Sequence, residues 1–290
     1  YINDLVKISD ICKFILFADD TTVLFHCKNE HQLAHIINTE LIKIHAWFIN
    51  NRLALNLKKT CIVPFYVKKP LVLSQISIAN TIIPCLSNTK FLGVLIDCQL
   101  NWDTHVNYIC HKLSQCCYMV RVCAICLPKR VLIQMYYAFA QSYLLYGIEC
   151  WVNTSNVNLS RILVLQKRIV RIINHLPFIA HCAPYAADAS IMFINDLAAF
   201  QLCILAYKVF YNLHVPDTIM CVFDKPVHGH NTRSNAYNFN TRGSKLNVRR
   251  YSPVIECIFK WNSLSVELRA SKSVHIFKKC LKRDILINYV

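Results

Sequence analysis

Asp19 and Asp20 are adjacent carboxylates set between two apolar runs, residues 14–18 and 21–25. Held side by side on a short turn, two carboxylates repel each other, and a divalent cation relieves the repulsion. Mg²⁺ suits such a pair, because it prefers oxygen and usually takes one or two protein carboxylates together with phosphate oxygens. Ions held this way activate an attacking hydroxyl and stabilise a leaving phosphate. The alternative is ordinary turn chemistry, in which Asp is common, and the dipeptide by itself favours that simpler reading. A second candidate set is cationic. Arg161, Lys167, Arg168 and Arg171 fall on one side of a helix expected over residues 159–175, opposite Ile162, Leu163, Leu165, Ile169, Val170, Ile172 and Ile173. Such a face either tracks a phosphate backbone or is the solvated side of a docked helix. A third set, Cys116, Cys117, Cys123 and Cys126 with His105 and His111 nearby, has helical periodicity. Ten residues cover nearly three helical turns, too far for one tetrahedral zinc site, so no zinc is expected there. His228 and His230 form a lone pair in a loop, and Cys182 near His175 and His181 has no evident orienting partner for a nucleophilic role.

Positioning the two acids falls to the flanking runs, whose aromatic and β-branched residues predict a hairpin over residues 14–25. Asn29 and Gln32 are spaced to cap a helix reciprocally, and Leu33, Ile36, Ile37, Leu41, Ile44 and Phe48 continue it at helical spacing up to Asn50 and Asn51. Leu53, Leu55 and Leu57 alternate with Ala54, Asn56 and Lys58, the signature of a half-buried strand. Ile76-Ser77-Ile78 and Ile82-Ile83 around Ala79-Asn80-Thr81 predict a second hairpin. Residues 91–96 read as a further strand in which Gly93 lets a neighbouring backbone approach closely. From Asp103 onward the pattern is helical: one helix stops before Pro128, and others are expected over about residues 129–146, 159–175, 196–213 and 254 to the end. Residues 226–253 are polar, basic and weakly periodic, a loop or linker.

Bulk properties bound the partners. The 290 residues are 55% hydrophobic with only 4 Gly, which predicts a folded, helix-rich protein. The net charge of +16 suits a polyanion, either nucleic acid or an anionic membrane surface. Sixteen Cys in so large a chain, most inside apolar runs, are read as reduced and buried rather than as a disulfide framework. Residues 131–148 carry no formal charge, but they include Gln134, Gln141, Ser142 and several Tyr, which are costly in lipid. A buried helix is expected there, and no membrane partner. The chain opens without Met or a secretory pattern, so it reads as cut from something longer and not secreted.

Phe17-Ala18-Asp19-Asp20 within its apolar hairpin resembles the aromatic-x-Asp-Asp box of reverse transcriptases. Tyr1-Ile2-Asn3-Asp4-Leu5 resembles the segment leading into that box in non-LTR retrotransposons, especially the jockey-like group. Trp47-Phe48 and residues 53–60 resemble the next palm motif, residues 91–97 the hairpin that grips the primer end, and Leu100-Asn101-Trp102 with His105 the start of the thumb. The resemblance runs on through Tyr146-Gly147, Leu165-Gln166-Lys167-Arg168, Asn231-Thr232-Arg233-Ser234, Trp261-Asn262 and Phe277-Lys278-Lys279, and so covers essentially the whole chain.

The fold this resemblance implies is α+β. A partial polymerase palm (antiparallel sheet with helix) would occupy residues 1–100, thumb-like helices 101–152, and a basic helical region 153–290. By the same resemblance Asp19 is a catalytic metal ligand and Asp20 supports the site. Phe17 and Ala18 lie near the incoming nucleotide or primer end. Lys59 sits by the nucleotide phosphates, unless it is a solvated strand-end lysine. Phe91, Leu92 and Gly93 place the primer terminus, a role compatible with core packing. The cofactor is Mg²⁺, and the partners are an RNA template, a DNA primer and deoxynucleotides, with no obligate protein partner, in the nucleus and/or cytoplasm. In this family a further palm aspartate, the fingers and an endonuclease come earlier in the chain. The expectation is therefore a fragment or decayed copy that does not polymerise by itself. A second reading is a non-catalytic basic helical nucleic-acid-binding module, and a third a membrane-associated helical protein.

Overall fold

Two-residue turns organise the first hundred residues. In the computed structural model, which describes residues 2–67, 69–71, 73–223, 237–240 and 252–289, the chain divides into two units, Tyr1–Leu100 and Asn101–Val290. Within the first, β1 (Lys13–Phe17) pairs antiparallel with β2 (Asp20–Leu24), with Phe17 opposite Asp20. β3 (Ser77–Ile78) pairs with β4 (Thr81–Ile82), and β5 (Asn88–Phe91) with β6 (Val94–Asp97). The mixture of helix and antiparallel strands is the expected α+β class. Among the described residues, however, the strands form three separate two-stranded sheets rather than one.

One helix organises the β1–β2 hairpin. α1 (Glu30–Asn50) buries Ala34, Ile37, Ile44 and Phe48 along one stripe. Ile44 and Phe48 meet Leu5, delivered by a 3-10 turn at Asn3–Lys7. Phe14, Leu16 and Val23 of the hairpin pack onto that cluster, and so do Leu53 and Leu55. Alternation along a strand sends successive side chains to opposite faces, so Ile15, Phe17 and Leu24 remain exposed on the outer face. Farther up α1, the Asn38 side chain donates to the Gln75 carbonyl (3.1 Å) and accepts from the Ser77 N–H (3.0 Å), tying β3 to the helix.

Two sequence expectations change here. Residues 53–57 keep the predicted alternation of half-buried and exposed positions but form no strand. Leu53 N–H donates to the Phe48 carbonyl (2.8 Å) and Lys59 N–H to that of Asn56 (3.0 Å), so an extended run closes in a turn. The alternation reports one buried side, not a hydrogen-bonded neighbour. Residues 91–96 are not one strand either. Leu92 and Gly93, at φ 45 and 87, are the central residues of a hairpin turn joining β5 to β6. Positive φ at both positions marks a type I′ turn, where glycine is the natural residue. Gly93 serves the turn rather than a close backbone approach.

The second unit is helical. α2 (Asp103–Cys123) packs on α6 (Asn156–Ile173) through Val106, Ile109, Leu113 and Val120 on one side and Ile162, Ile169 and Ile173 on the other. Between them lie α3 (Lys129–Met135), a π-helical stretch Tyr136–Gln141, α4 (Ser142–Leu145) and α5 (Ile148–Trp151). After α7 (Ala183–Asp188) comes α8 (Ile194–Phe210), buried nearly all round and therefore central. α9 (Asp217–Met220) follows, and then α10 (Pro253–Asn262), α11 (Val266–Arg269) and α12 (Val274–Ile287). The single helical region expected after residue 254 is thus three helices, each started by a serine (Ser252, Ser265, Ser273) whose hydroxyl accepts a backbone N–H. Residues 101–152 and the described part of 153–290 share this unit. The 231–234 motif, His228, His230 and most of the expected 226–253 loop lie outside the described residues. Among the described residues no helix is long and apolar enough to cross a membrane.

Candidate functional site

The two carboxylates stand at the tip of β1–β2. The loop is Ala18-Asp19, closed by the Phe17–Asp20 pair, and Ala18 takes φ 51. A left-handed backbone is unfavourable for a residue with a Cβ, so the packing beneath must hold the turn. That packing is the inner face of the hairpin on Ile44 and Phe48. Phe17, Ala18, Asp19 and Asp20 are all exposed, Phe17 by 60%. Asp20 shares the outer face with the Phe17 ring, while Asp19 occupies the apex. Among the described residues no group of three or more His, Cys, Asp or Glu side chains could hold a metal. Two adjacent oxygen donors open to water fit Mg²⁺, which keeps several waters and needs only one or two protein carboxylates. They do not fit a closed all-protein cage.

A buried carboxylate lies on the same helix that supports the hairpin. Glu40 is 1% exposed and accepts from Lys43 Nζ at 2.7 Å. Lys43, together with the Ser9 hydroxyl, holds its carboxyl below the usual carboxylate range. The Lys43 pairing lies within α1, and Ser9 belongs to the segment entering β1. Glu40 went unnoticed in the sequence, although a lone acid three residues after Ile37 and four before Ile44, on an otherwise apolar stripe, is a legible signal.

The remaining first-unit candidates are dispersed. Lys59 is exposed in the turn after Asn56. Phe91, Leu92 and Gly93 are half-buried at the β5–β6 turn. Among the described residues no strand pairing joins that hairpin to the one carrying Asp19 and Asp20.

The cationic face of α6 exists, but its members have different surroundings. Arg161 Nη2 donates to Asn107 Oδ1 on α2 (2.7 Å) and Nη1 to Asn158 Oδ1 (3.3 Å). Arg171 Nε donates to the Ala180 carbonyl (2.8 Å). Lys167 Nζ lies 5.7 Å from the centre of the Phe193 ring, and the Arg168 guanidinium 5.9 Å from that of Phe178. The first two cations brace the helix and the loop after it, and the other two stand beside aromatic rings. The opposite face is less uniformly apolar than the sequence implied, because Asn158 and Gln166 are buried in it. Gln166, fully buried, donates to Tyr136 OH (2.9 Å) and accepts from Ile194 N–H (2.7 Å), joining α6 to the π-helical stretch and to α8. Asn262 clamps residue 239 in both directions, accepting from Phe239 N–H (3.0 Å) and donating to its carbonyl (2.9 Å). The Leu165–Arg168 and Trp261-Asn262 motifs therefore contribute structural polar contacts.

Burial acts on some of the thiols and on His105. α2 runs unbroken through Cys123, with Cys116 and Cys117 buried on it. Burial pushes the Cys116 thiol up to about 12. Burial also raises Cys182, opposed by Arg171 and Lys167. His105 is 3% exposed, and its ring lies edge-on to Trp151 at 5.5 Å. Burial drops its pKa to about 4.

No protein-family profile matches the chain. It is similar to the Drosophila melanogaster protein "Probable RNA-directed DNA polymerase from transposon BS", 27% identical over 167 residues, which make up 56% of this chain and 18% of that protein. The chain thus spans less than a fifth of that relative's length. No solved structure matches. The similarity agrees, at the level of the family, with the reverse transcriptase resemblance of the sequence motifs.

Proposed function

We propose that this chain is part of the RNA-directed DNA polymerase of a jockey-like non-LTR retrotransposon, and that Asp19 and Asp20 contribute to its Mg²⁺ site. The observation that carries the reading is the exposed Phe17–Asp20 turn, two adjacent carboxylates at the tip of a hairpin pinned by α1, in a chain similar to a transposon polymerase. The parent reaction adds deoxynucleotides to a DNA 3′ hydroxyl on an RNA template. By analogy with the family, that hydroxyl comes from nicked chromosomal DNA, which places the work in the nucleus.

When bound, Mg²⁺ supplies the positive charge that activates the hydroxyl and stabilises the leaving phosphate. Asp19, at the apex, is the primary ligand. Asp20, constrained by its pairing with Phe17, supports it. The exposed Phe17 ring gives the primer end an apolar surface beside the acids, and Lys59 is exposed in its turn to meet a phosphate. Leu92 and Gly93 would set the primer terminus by the shape of their turn. Two carboxylates make only part of a catalytic metal site, so this chain alone should extend a primer poorly or not at all.

Primer extension with Mg²⁺ tests the reading. The chain is compared with a fusion in which a palm segment bearing a further aspartate, taken from the transposon polymerase it resembles, precedes it. The fusion should extend an RNA-templated primer and lose that activity with Asp19→Ala. An inert fusion, or an active one indifferent to Asp19→Ala, would reject the proposal.

A further inference from the structure

The second unit holds an open cleft of about 580 Å³ between α6, the segment after it, the start of α8 and the end of α12. Lys167 and Arg171 line one side, and Phe193, Asp196 and Tyr289 the other. The second wall is tightly built. Tyr289 OH donates to Asp196 Oδ2 at 2.5 Å and accepts from Phe193 N–H at 2.8 Å, and the Tyr289 and Phe193 rings stack with centres 5.1 Å apart. On the cationic side, the bond from Arg171 to the Ala180 carbonyl fixes the adjoining loop. That loop displays Phe178, 71% exposed, with the Arg168 guanidinium near its ring.

The arrangement is selective. Two cations favour an anion, but Asp196 works against a bare one. A nucleotide satisfies both walls, because it brings a phosphate together with hydroxyl and amine donors. A lone aromatic ring displayed beside the cleft stacks on bases only where they are unpaired. An anionic membrane would accept the exposed Phe178 but would make no use of a concave site containing a carboxylate.

We propose that this cleft binds one nucleotide unit of a single-stranded nucleic acid. The phosphate lies against Lys167 and Arg171, Asp196 accepts from a sugar hydroxyl or base amine, and Phe178 stacks on the adjacent base. The inference rests on the polymerase reading for the kind of polymer, and not on Asp19 or Asp20.

Fluorescence anisotropy of labelled oligoriboadenylate with the full chain, over a range of KCl concentrations, tests it. Phe178→Ala should weaken single-strand binding roughly tenfold and leave binding of the same strand annealed to its complement unchanged. Lys167→Glu should weaken binding by about tenfold or more and flatten the salt slope by about 0.7, the share of a single neutralised phosphate on a single strand. Phe178 is exposed, so its truncation leaves the fold intact, and an unchanged melting temperature verifies this. Wild-type affinity and slope in both cleft variants would overturn the proposal. So would tighter, Phe178-dependent binding to phosphatidylcholine–phosphatidylserine vesicles than to the oligonucleotide. Either failure would leave primer extension by the fusion unaffected, whereas loss of the Asp19 effect there would leave cleft binding untouched.

Discussion

The two units hold themselves together by different means. In Tyr1–Leu100 the candidate carboxylates ride on a two-stranded hairpin whose support is one helix face and a 3-10 turn, around Leu5, Ile44 and Phe48. Non-glycine residues at positive φ sit in all three of its hairpin turns: Ala18, Ala79 with Asn80, and Leu92. In Asn101–Val290, α8 is covered on nearly every side, and Tyr207, Trp261 and Phe277 pack ring to ring. Buried side-chain amides there bridge helices far apart in sequence. The candidate carboxylates therefore sit on the more locally built region, and the redundancy of packing lies in the other. Active loops and hairpins are commonly drawn from such thinly supported parts of a molecule.

The largest expected effect removes the centre of the denser region. Trp261 is fully buried, and its indole N–H donates to the Tyr237 carbonyl at 2.7 Å. Trp261→Ala should cost about 3–5 kcal/mol in chemical denaturation, with protection of α8 amides against hydrogen exchange falling and that of α1 unchanged. Equal loss in α1 would break the distinction between the units.

Acid should separate the units next. His105, whose pKa falls from 6.5 to about 4 on burial, binds a proton more readily unfolded than folded. Its contribution is complete above pH 6.5 and is lost as pH falls toward 4, on the order of 1–3 kcal/mol. Glu40, held below its ordinary 4.5 by Lys43 and Ser9, contributes fully above that value and loses its share only at lower pH. Unfolding followed by pH should show the helical unit softening first, and His105→Gln should flatten its dependence between pH 6.5 and 4.

The smallest effect sharpens the picture of the hairpin. Ala18→Gly relieves a left-handed backbone, and should stabilise the first unit by roughly 0.5–1 kcal/mol without changing the second. A loss of stability instead would mean that the Ala18 methyl group supports the turn.

Much of the fold is legible in the sequence where the signal is local. The Asp19-Asp20 hairpin is readable because dense apolar runs flank a short polar centre, and α1 and α6 because their stripes repeat at helical spacing. The β5–β6 turn is hidden inside its own apolar run: Leu92 at a positive-φ position carries none of the Asn-Gly signature that announces such turns. Residues 53–57 mislead because one-sided burial and strand pairing produce the same alternation. The surroundings of the α6 cations are out of reach, since Asn107, Ala180, Phe178 and Phe193 come from other elements. The cleft is further still, because Asp196 meets Tyr289 only through the fold.

The π-helical stretch at Tyr136–Gln141 has a consequence for how this chain tolerates change in length. A π turn accommodates one residue more than an α turn does, and here Tyr136 reaches Gln166 while its neighbour Tyr137 reaches the Ala189 and Ser190 carbonyls. Deleting one residue within it, such as Ala138, would restore regular α winding and keep the flanking turns in register, leaving Leu144 at its buried position, whereas the same deletion in the regular turns of α3 would swing everything beyond it by about 100°. The stretch is thus where this helix best absorbs a lost residue, and what such a loss would disturb is the local reach of Tyr136 and Tyr137.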